Sequence, residues 1–148
     1  MVEHIVYPSE RLHEFSTRVF LHFGVPRSHA ELASDVLASA DLRGIDSHGV
    51  ARLHTYFDML ELGRINPRPR ISIVRESLST ATVDGDNGLG LVVGPRANKI
   101  AMDKADAAGS GWVSVCNSNH FGIAGWYPLQ ALKREQIAFL LSNPFYFG

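Results

Sequence analysis

The chain has 148 residues, 45% of them hydrophobic and 20% charged, which is the composition of a folded globular protein and excludes an intrinsically disordered one. Its 14 basic and 15 acidic residues leave a net charge of −1, so no strong field is present to attract nucleic acid or an anionic membrane. The single cysteine, Cys116, excludes an internal disulfide, and no apolar run approaches the ~20 residues that span a bilayer, so we expect a cytoplasmic protein.

Two amphipathic helices are predicted at the start of the chain. The first covers 9–23 and stops at Gly24. The second starts at Ser28, which has capping-box spacing to Glu31, and it stops at Gly44. Its predicted buried side consists of the small and branched apolar residues Ala33, Val36, Leu37 and Ala40.

A third predicted helix carries the first candidate site. Ser47 stands where the helix should begin and can cap its first turn. His48, Arg52 and Tyr56 follow at steps of four, which place side chains on one face of a helix. An imidazole, a guanidinium and a phenol in a row can bind a small anion and move a proton on it. An ordinary solvated helix face explains the same residues, and this stretch alone leaves both interpretations open. The opposite, apolar side is predicted to be Val50, Leu53, Phe57 and Leu60.

The run 67–70, Pro-Arg-Pro-Arg, cannot continue a helix and is the best candidate for a linker. The elements predicted beyond it are strands at 71–74 and 81–84, a helix at 95–108, a buried strand at 112–116, a helix at 123–134 and an apolar strand at 137–141. The predicted fold class is therefore α+β, with a helical N-terminal region at 1–66 followed by a partial α/β segment at 67–148.

The glycine-rich run at 85–90 lies between a predicted strand and a predicted helix, as a dinucleotide-binding fingerprint does. However, Gly88, Gly90 and Gly94 have the spacing G-x-G-x-x-x-G, which is one residue too long. The next strand ends at Cys116 without an acidic residue that would hold a ribose. We therefore predict a loop that uses the backbone freedom of glycine, and not a Rossmann phosphate loop.

The second candidate site is the loop at 117–122. It collects amides, a hydroxyl, an imidazole and an aromatic ring directly after a strand, where ligands often bind in sheet proteins. His120 can act there as an acid, a base or a hydrogen-bond donor, although a histidine that only bonds its local backbone fits equally well. The seven histidines form no H-E-x-x-H, and no C-x-x-C occurs, so we expect no metal site.

Three motifs, in order, resemble those of the type-2 malate/L-lactate dehydrogenase family, whose relatives include ureidoglycolate dehydrogenases, diketogulonate reductases and cyclic-imine reductases. The motifs are 41–50 with Arg52, Leu53, Tyr56 and Gly63, then Asp84 and Gly85 with Gly88 and Gly90, and finally 118–122 with Gly125 and Tyr127. The resemblance covers about 12–143, nearly the whole chain.

This resemblance implies a helical N-terminal region followed by the start of a mixed, mainly antiparallel sheet domain with packed helices, which is not a Rossmann fold. It also implies a homodimer that transfers hydride between NAD or NADP and a small 2-hydroxy or 2-oxo acid. His48 and His120 match the two active-site histidines, either of which is a candidate acid/base. The other matched positions are Ser47, Arg52 and Tyr56 for substrate, and Phe121 and Gly122 for backbone close to the nicotinamide.

The chain departs from the family pattern in its length, because family members are typically more than twice as long. Glu135 and Ala138 also stand where glycine is common. We therefore expect an incomplete NAD(P) site and no turnover by the 148 residues alone. Two kinds of function remain: the N-terminal part of a dehydrogenase, or a truncated, non-catalytic remnant that acts as a binding or dimerising module. A metal-dependent hydrolase is a distant third.

Overall fold

A computed structural model describes residues 6–142 of the chain. The ends of both predicted regions, 1–5 and 143–148, lie outside the described residues. The elements, in chain order, are α1 (Ser9–His22), α2 (Arg27–Asp41), two 3₁₀ turns (Asp46–His48 and Val50–Arg52), α3 (Leu53–Glu61), β1 (Ser72–Glu76), β2 (Thr80–Gly88), α4 (Gly90–Ala108), β3 (Trp112–Ser118) and α5 (Trp126–Leu132). Within the range 6–142, no helix combines the length and the apolarity needed to cross a bilayer.

The helices α1 and α2 pack against each other, and the apolar side of α2 is at the centre of the core. The four apolar residues predicted for that side are all fully buried, which confirms the prediction. The predicted capping box is wrong, because α2 begins at Arg27 after Pro26 and no side chain caps it. Ser28 is already inside the helix, because Pro26, with φ −58° and ψ 143°, occupies the N-cap position.

The stretch predicted as one helix from Ser47 is broken at Gly49. That residue has φ −89° and ψ −150°, an extended backbone between the two 3₁₀ turns, and the α-helix begins only at Leu53. The prediction of a single polar helix face is therefore wrong, because the extended residue interrupts the helical rise between His48 and Arg52. Ser47 caps no helix, since no side-chain cap occurs at either 3₁₀ turn or at α3.

Tyr56, which was predicted on the polar side of this helix, belongs to the core. Its side chain is only 2% exposed and lies between Leu53 and Leu60 on the buried side of α3. Phe57 was predicted to be buried but is 37% exposed, with its ring edge-to-face against Phe23. The buried side of α3 is thus rotated so that a phenol enters the core.

The three strands form a mixed sheet in the order β1-β2-β3. The pair β1 and β2 is antiparallel, whereas β2 and β3 are parallel and are joined through α4. Along β2, the residues Ala81, Val83 and Gly85 are buried and alternate with less buried neighbours, and Val93 of α4 faces Gly85. The chain is α+β, with helices before the sheet and around it.

The run at 85–90 is not the predicted loop. The strand β2 continues through Gly88, and α4 begins at Gly90, so Pro95 lies inside the helix and not at its start. A Cβ atom at Gly90 would lie 2.1 Å from the carbonyl oxygen of Asn119. Glycine is needed there because the loop after β3 contacts the first turn of α4 directly.

Two apolar segments are more exposed than predicted. In β3, Trp112 is 60% exposed and Val115 is 41% exposed, because this strand is an edge of the described sheet. The segment 137–141 forms no strand, and Ile137 and Leu141 are 88% and 87% exposed. Apolar periodicity does not make a strand without a neighbour to take its backbone hydrogen bonds. The helix predicted at 123–134 is shorter, because α5 spans Trp126–Leu132 with its proline in the first turn.

Candidate active site

Two imidazoles that are far apart in sequence lie side by side. The ring centroids of His48 and His120 are 5.6 Å apart. His48 comes from the first 3₁₀ turn, and His120 comes from the loop that follows β3. The close packing of Gly90 against the carbonyls of Asn119 and His120 holds this loop at the start of α4. The structure therefore brings both candidate histidines to one site.

His120 is bonded on one edge and open on the other. Its Nδ1 lies 2.7 Å from the hydroxyl of Tyr56, and the backbone N–H of Gly122 donates to the same nitrogen at 3.3 Å. A backbone N–H can only donate, so Nδ1 is an acceptor, and we assign the ring proton to Nε2. Burial lowers the pKa of His120, and the nearby charges of Arg52 and His48 lower it further. The ring is therefore a neutral imidazole with an N–H on its open edge.

Tyr56 is the donor in its contact with His120. Burial raises the pKa of Tyr56 far above its usual value, although Arg52 and the N–H of Gly122 act in the opposite direction. The phenol therefore stays protonated and donates to Nδ1 of His120. This bond connects α3 to the loop after β3.

Arg52 supplies a positive charge with an unused donor. Its Nε is buried and has no hydrogen-bond partner among the described residues. The guanidinium lies close enough to lower the pKa of both Tyr56 and His120. A buried donor without an acceptor costs free energy, and a bound anion would supply that acceptor.

Ser47 and Phe121 complete the predicted set around the two imidazoles. The Oγ of Ser47 is 3.0 Å from Nδ1 of His48. The ring of Phe121 stacks on His120, with centroids 6.1 Å apart and an angle of 20° between the planes. Gly122 has φ +78°, a conformation that favours glycine, and it presents its N–H to His120. The roles of these residues stay a prediction.

Sequence reasoning gave no role to Tyr127, although the residue was part of the third motif. Its hydroxyl donates to the carbonyl oxygen of Phe121 at 2.5 Å and so fixes the loop that carries His120. Gly94 makes room for it, because a Cβ there would lie 2.7 Å from the hydroxyl. Gly94 in α4 was therefore a signal in the sequence that a large side chain packs against this helix.

His48 and His120 are not accompanied by metal ligands in the part of the chain that the structure describes. No group of three His, Cys, Asp or Glu side chains converges there in a way that would hold a metal ion. His54, the nearest other histidine in sequence, turns its Nδ1 to the carbonyl of Ala51.

Tyr56→Phe tests the assigned proton on His120. Removing the phenol hydroxyl removes a hydrogen-bond donor to Nδ1. That hydrogen bond stabilises the neutral ring, so we expect the pKa of His120 to rise. We also expect a loss of about 1 kcal/mol in unfolding free energy, the usual contribution of one hydrogen bond. An NMR titration of the His120 ring protons measures the first effect. Tyr7→Phe, at an exposed tyrosine, is the matched control and should change neither quantity.

The stability of the chain is expected to fall on acidification. Burial lowers the pKa of His120 and also of His29, whose value Arg96 lowers further. The unfolded chain therefore binds more protons just below the ordinary histidine pKa of 6.5, so this contribution is fully present above that pH and is lost as the pH falls through the lowered values. Urea unfolding at about pH 7.5 and about pH 5.5 measures the loss. The loss of stability should be smaller in His120→Gln than in the unsubstituted chain. An equal loss in these two proteins would contradict the lowered pKa of His120.

Comparison with known proteins gives a consistent result. The sequence model of the malate/L-lactate dehydrogenase family matches residues 7–145. The chain is 46% identical over 140 residues to malate dehydrogenase from Pyrococcus horikoshii, covering 95% of this chain and 39% of that protein. It is 47% identical over 125 residues to L-sulfolactate dehydrogenase from Methanocaldococcus jannaschii, covering 84% and 36%. The solved P. horikoshii malate dehydrogenase matches with a TM-score of 0.86 and 48% identity over 88% of this chain and 37% of that chain. The chain thus spans about two fifths of the length of these relatives.

Proposed function

Since the chain belongs to the malate/L-lactate dehydrogenase family, we propose that it is the N-terminal part of an NAD(P)-dependent oxidoreductase. The reaction is hydride transfer between the nicotinamide and a small 2-hydroxy or 2-oxo acid, of the malate or lactate kind. The observation that carries the proposal is that the buried Nε of Arg52, beside the pair His48 and His120, has no hydrogen-bond partner among the described residues. A carboxylate with a neighbouring carbonyl is the ligand that such a site would bind.

The two histidines divide the proton chemistry between them. Reduction of a 2-oxo acid places hydride on the carbonyl carbon and a proton on its oxygen. His120 is held neutral with its N–H on Nε2, so it polarises the carbonyl by donating a hydrogen bond. His48, whose Nδ1 contacts the hydroxyl of Ser47, is then the acid in reduction and the base in oxidation.

Arg52 binds the substrate carboxylate, ideally through two parallel hydrogen bonds. Ser47 lines the pocket on the side of His48. Tyr56 lines it from the core and keeps His120 in its tautomer. All three were expected from the sequence to contact substrate, and the hydroxyls of Ser47 and Tyr56 each already contact a histidine of the pair.

The described residues fit one side of a nicotinamide. We propose that the ring of Phe121, which is nearly parallel to that of His120, and the backbone of Gly122 lie beside the nicotinamide. When bound, the cofactor supplies or accepts the hydride, while the protein orients it. Both NAD and NADP are compatible with these residues. We further propose that the whole protein is a cytoplasmic homodimer.

A chimera tests the function. The segment of P. horikoshii malate dehydrogenase that matches this chain is replaced by residues of this chain, to which it is 46% identical. Oxidation of NADH and NADPH is followed by absorbance with a panel of 2-oxo acids. We expect turnover with at least one acid. A folded chimera that binds cofactor and reduces none of them would refute the proposal.

The isolated chain is expected to show no turnover in the same assay, because it spans only about two fifths of the length of its relatives. Clear, protein-dependent oxidation of NADH or NADPH by the 148 residues would overturn that expectation.

A second candidate function is a non-catalytic binding or dimerising module. The exposed apolar residues Trp112, Ile137 and Leu141 favour it, since such side chains are usually covered by another surface. Concentration-dependent dimerisation of the isolated chain in sedimentation experiments, together with an inactive chimera, would support this alternative.

A further inference from the structure

Asp41 is the last residue of α2, and its carboxylate reaches the turn that carries two candidate site residues. Its Oδ2 accepts a hydrogen bond from the backbone N–H of Val50 at 2.9 Å. Val50 lies between His48 and Arg52 in the chain. The carboxylate therefore holds the backbone from which both side chains project.

The N–H of Val50 would otherwise lack an acceptor. It starts the second 3₁₀ turn, and the first amides of a helical turn have no partner within that turn. The residue before it is Gly49, which has no side chain to act as a cap. The carboxylate of Asp41, at the end of α2, accepts this hydrogen bond.

Gly49 leaves the space that this carboxylate occupies. A Cβ atom at position 49 would lie 1.8 Å from Oδ1 and 2.2 Å from Cγ of Asp41. The φ of Gly49, −89°, is open to any residue, so glycine is needed for the close approach and not for its backbone angle. Asp41 and Gly49 form one unit.

We infer that Asp41 is a positioning residue, whose carboxylate holds the 49–50 backbone so that His48 faces His120 and Arg52 faces the same pocket. It turns toward backbone and acts on substrate only through these two side chains. The catalytic consequence rests on the proposed function, whereas the geometric consequence does not. Burial raises the pKa of Asp41 and the charge of Asp46 adds to this, whereas the hydrogen bond from Val50 acts in the opposite direction.

The first test is made on the 148-residue chain by NMR. The 5.6 Å between the ring centroids predicts a cross-relaxation signal between the ring protons of His48 and His120. In Asp41→Ala this signal should lose at least half of its intensity. In Asp41→Asn, which keeps an acceptor, the signal should retain most of its intensity. Asp58→Ala removes an exposed carboxylate of α3 and is the matched control. Full intensity in Asp41→Ala would overturn the inference.

A double-mutant cycle covers the case in which Asp41→Ala loosens the whole fold. Gly49→Ala alone should reduce the same signal, because the new methyl group displaces the carboxylate. In the Asp41→Ala background that clash is gone, so the second substitution should cause no further loss. Additive losses would show that the two residues do not form a unit and would also overturn the inference.

Turnover in the chimera separates this inference from the proposed function. A displacement of about 1 Å costs about 10²-fold in rate, so Asp41→Ala should lower kcat by about that factor with an unchanged KM for the cofactor. Asp41→Asn should restore most of the rate. If the unsubstituted chimera is inactive while the NMR signal depends on Asp41, the proposed function fails and the positioning role stands. Unchanged kcat in Asp41→Ala of an active chimera defeats the positioning role alone.

Discussion

Replacing His48 by alanine in the active chimera is expected to lower turnover by about 10²–10⁴-fold, the usual contribution of a positioned general acid or base. His120 cannot readily replace it, since its Nδ1 accepts from Tyr56 and Gly122 and its pKa is lowered. The measurement is the rate constant kcat with a 2-oxo acid and NADH or NADPH.

His54→Ala is the matched control for this experiment. His54 is exposed on α3, and its Nδ1 bonds the carbonyl of Ala51, so its loss should leave the rate within a factor of about two. An unchanged rate in His48→Ala would transfer the acid/base role to His120. In that case Tyr56→Phe should change the pH profile, because it removes the donor at Nδ1 of His120.

Replacing Arg52 by alanine is expected to lower kcat/KM for 2-oxo acids by about 10²–10³-fold. Truncating one partner of a buried, hydrogen-bonded charge pair costs about 2–5 kcal/mol, and the carboxylate of the substrate would be left without its partner. Arg52→Lys keeps the charge but loses the planar fork, so most of the loss should remain. Steady-state kinetics with the acid and with its uncharged amide measure the effect, and the amide should show little change.

The stability of Arg52→Met separates binding from folding. Because Nε of Arg52 is buried and unpartnered in the described chain, its removal should not reduce the unfolding free energy by more than about 1 kcal/mol. Arg43→Ala is the control for the loss of a cation, since its exposed guanidinium donates to the carbonyl of Ser39 four residues before it. A large loss of stability in Arg52→Met, with kcat/KM unaffected by Arg52→Ala, would make this residue a structural one.

The local spacing of apolar residues predicted the features of the fold that depend on a single helix. The apolar side of α2 was read correctly because each of its residues is buried for the reason that its spacing suggests. The third helix was not, because its interruption at Gly49 depends on Asp41, which lies in another helix. The same applies to Tyr56, whose burial is explained by its bond to His120 from a distant loop.

The predicted strands show a second limit of prediction from sequence. The apolar character of 112–116 and 137–141 was visible in the sequence, but burial requires something to pack against. Within residues 6–142, β3 has one neighbouring strand and the later segment has none. That His48, Arg52 and His120 belong together was indicated only by the order of the family motifs, since spacing on one helix placed the first two on a face that does not exist.

The hydroxyl of Tyr56 and the imidazole of His120 form a bridge between the helical half of the chain and the sheet half. Neither half alone contains a complete proton-transfer pair, so the competence of the site is a property of their docking. Because residues of both halves share one hydrophobic core, unfolding by heat or urea should abolish the contact between the rings together with that core.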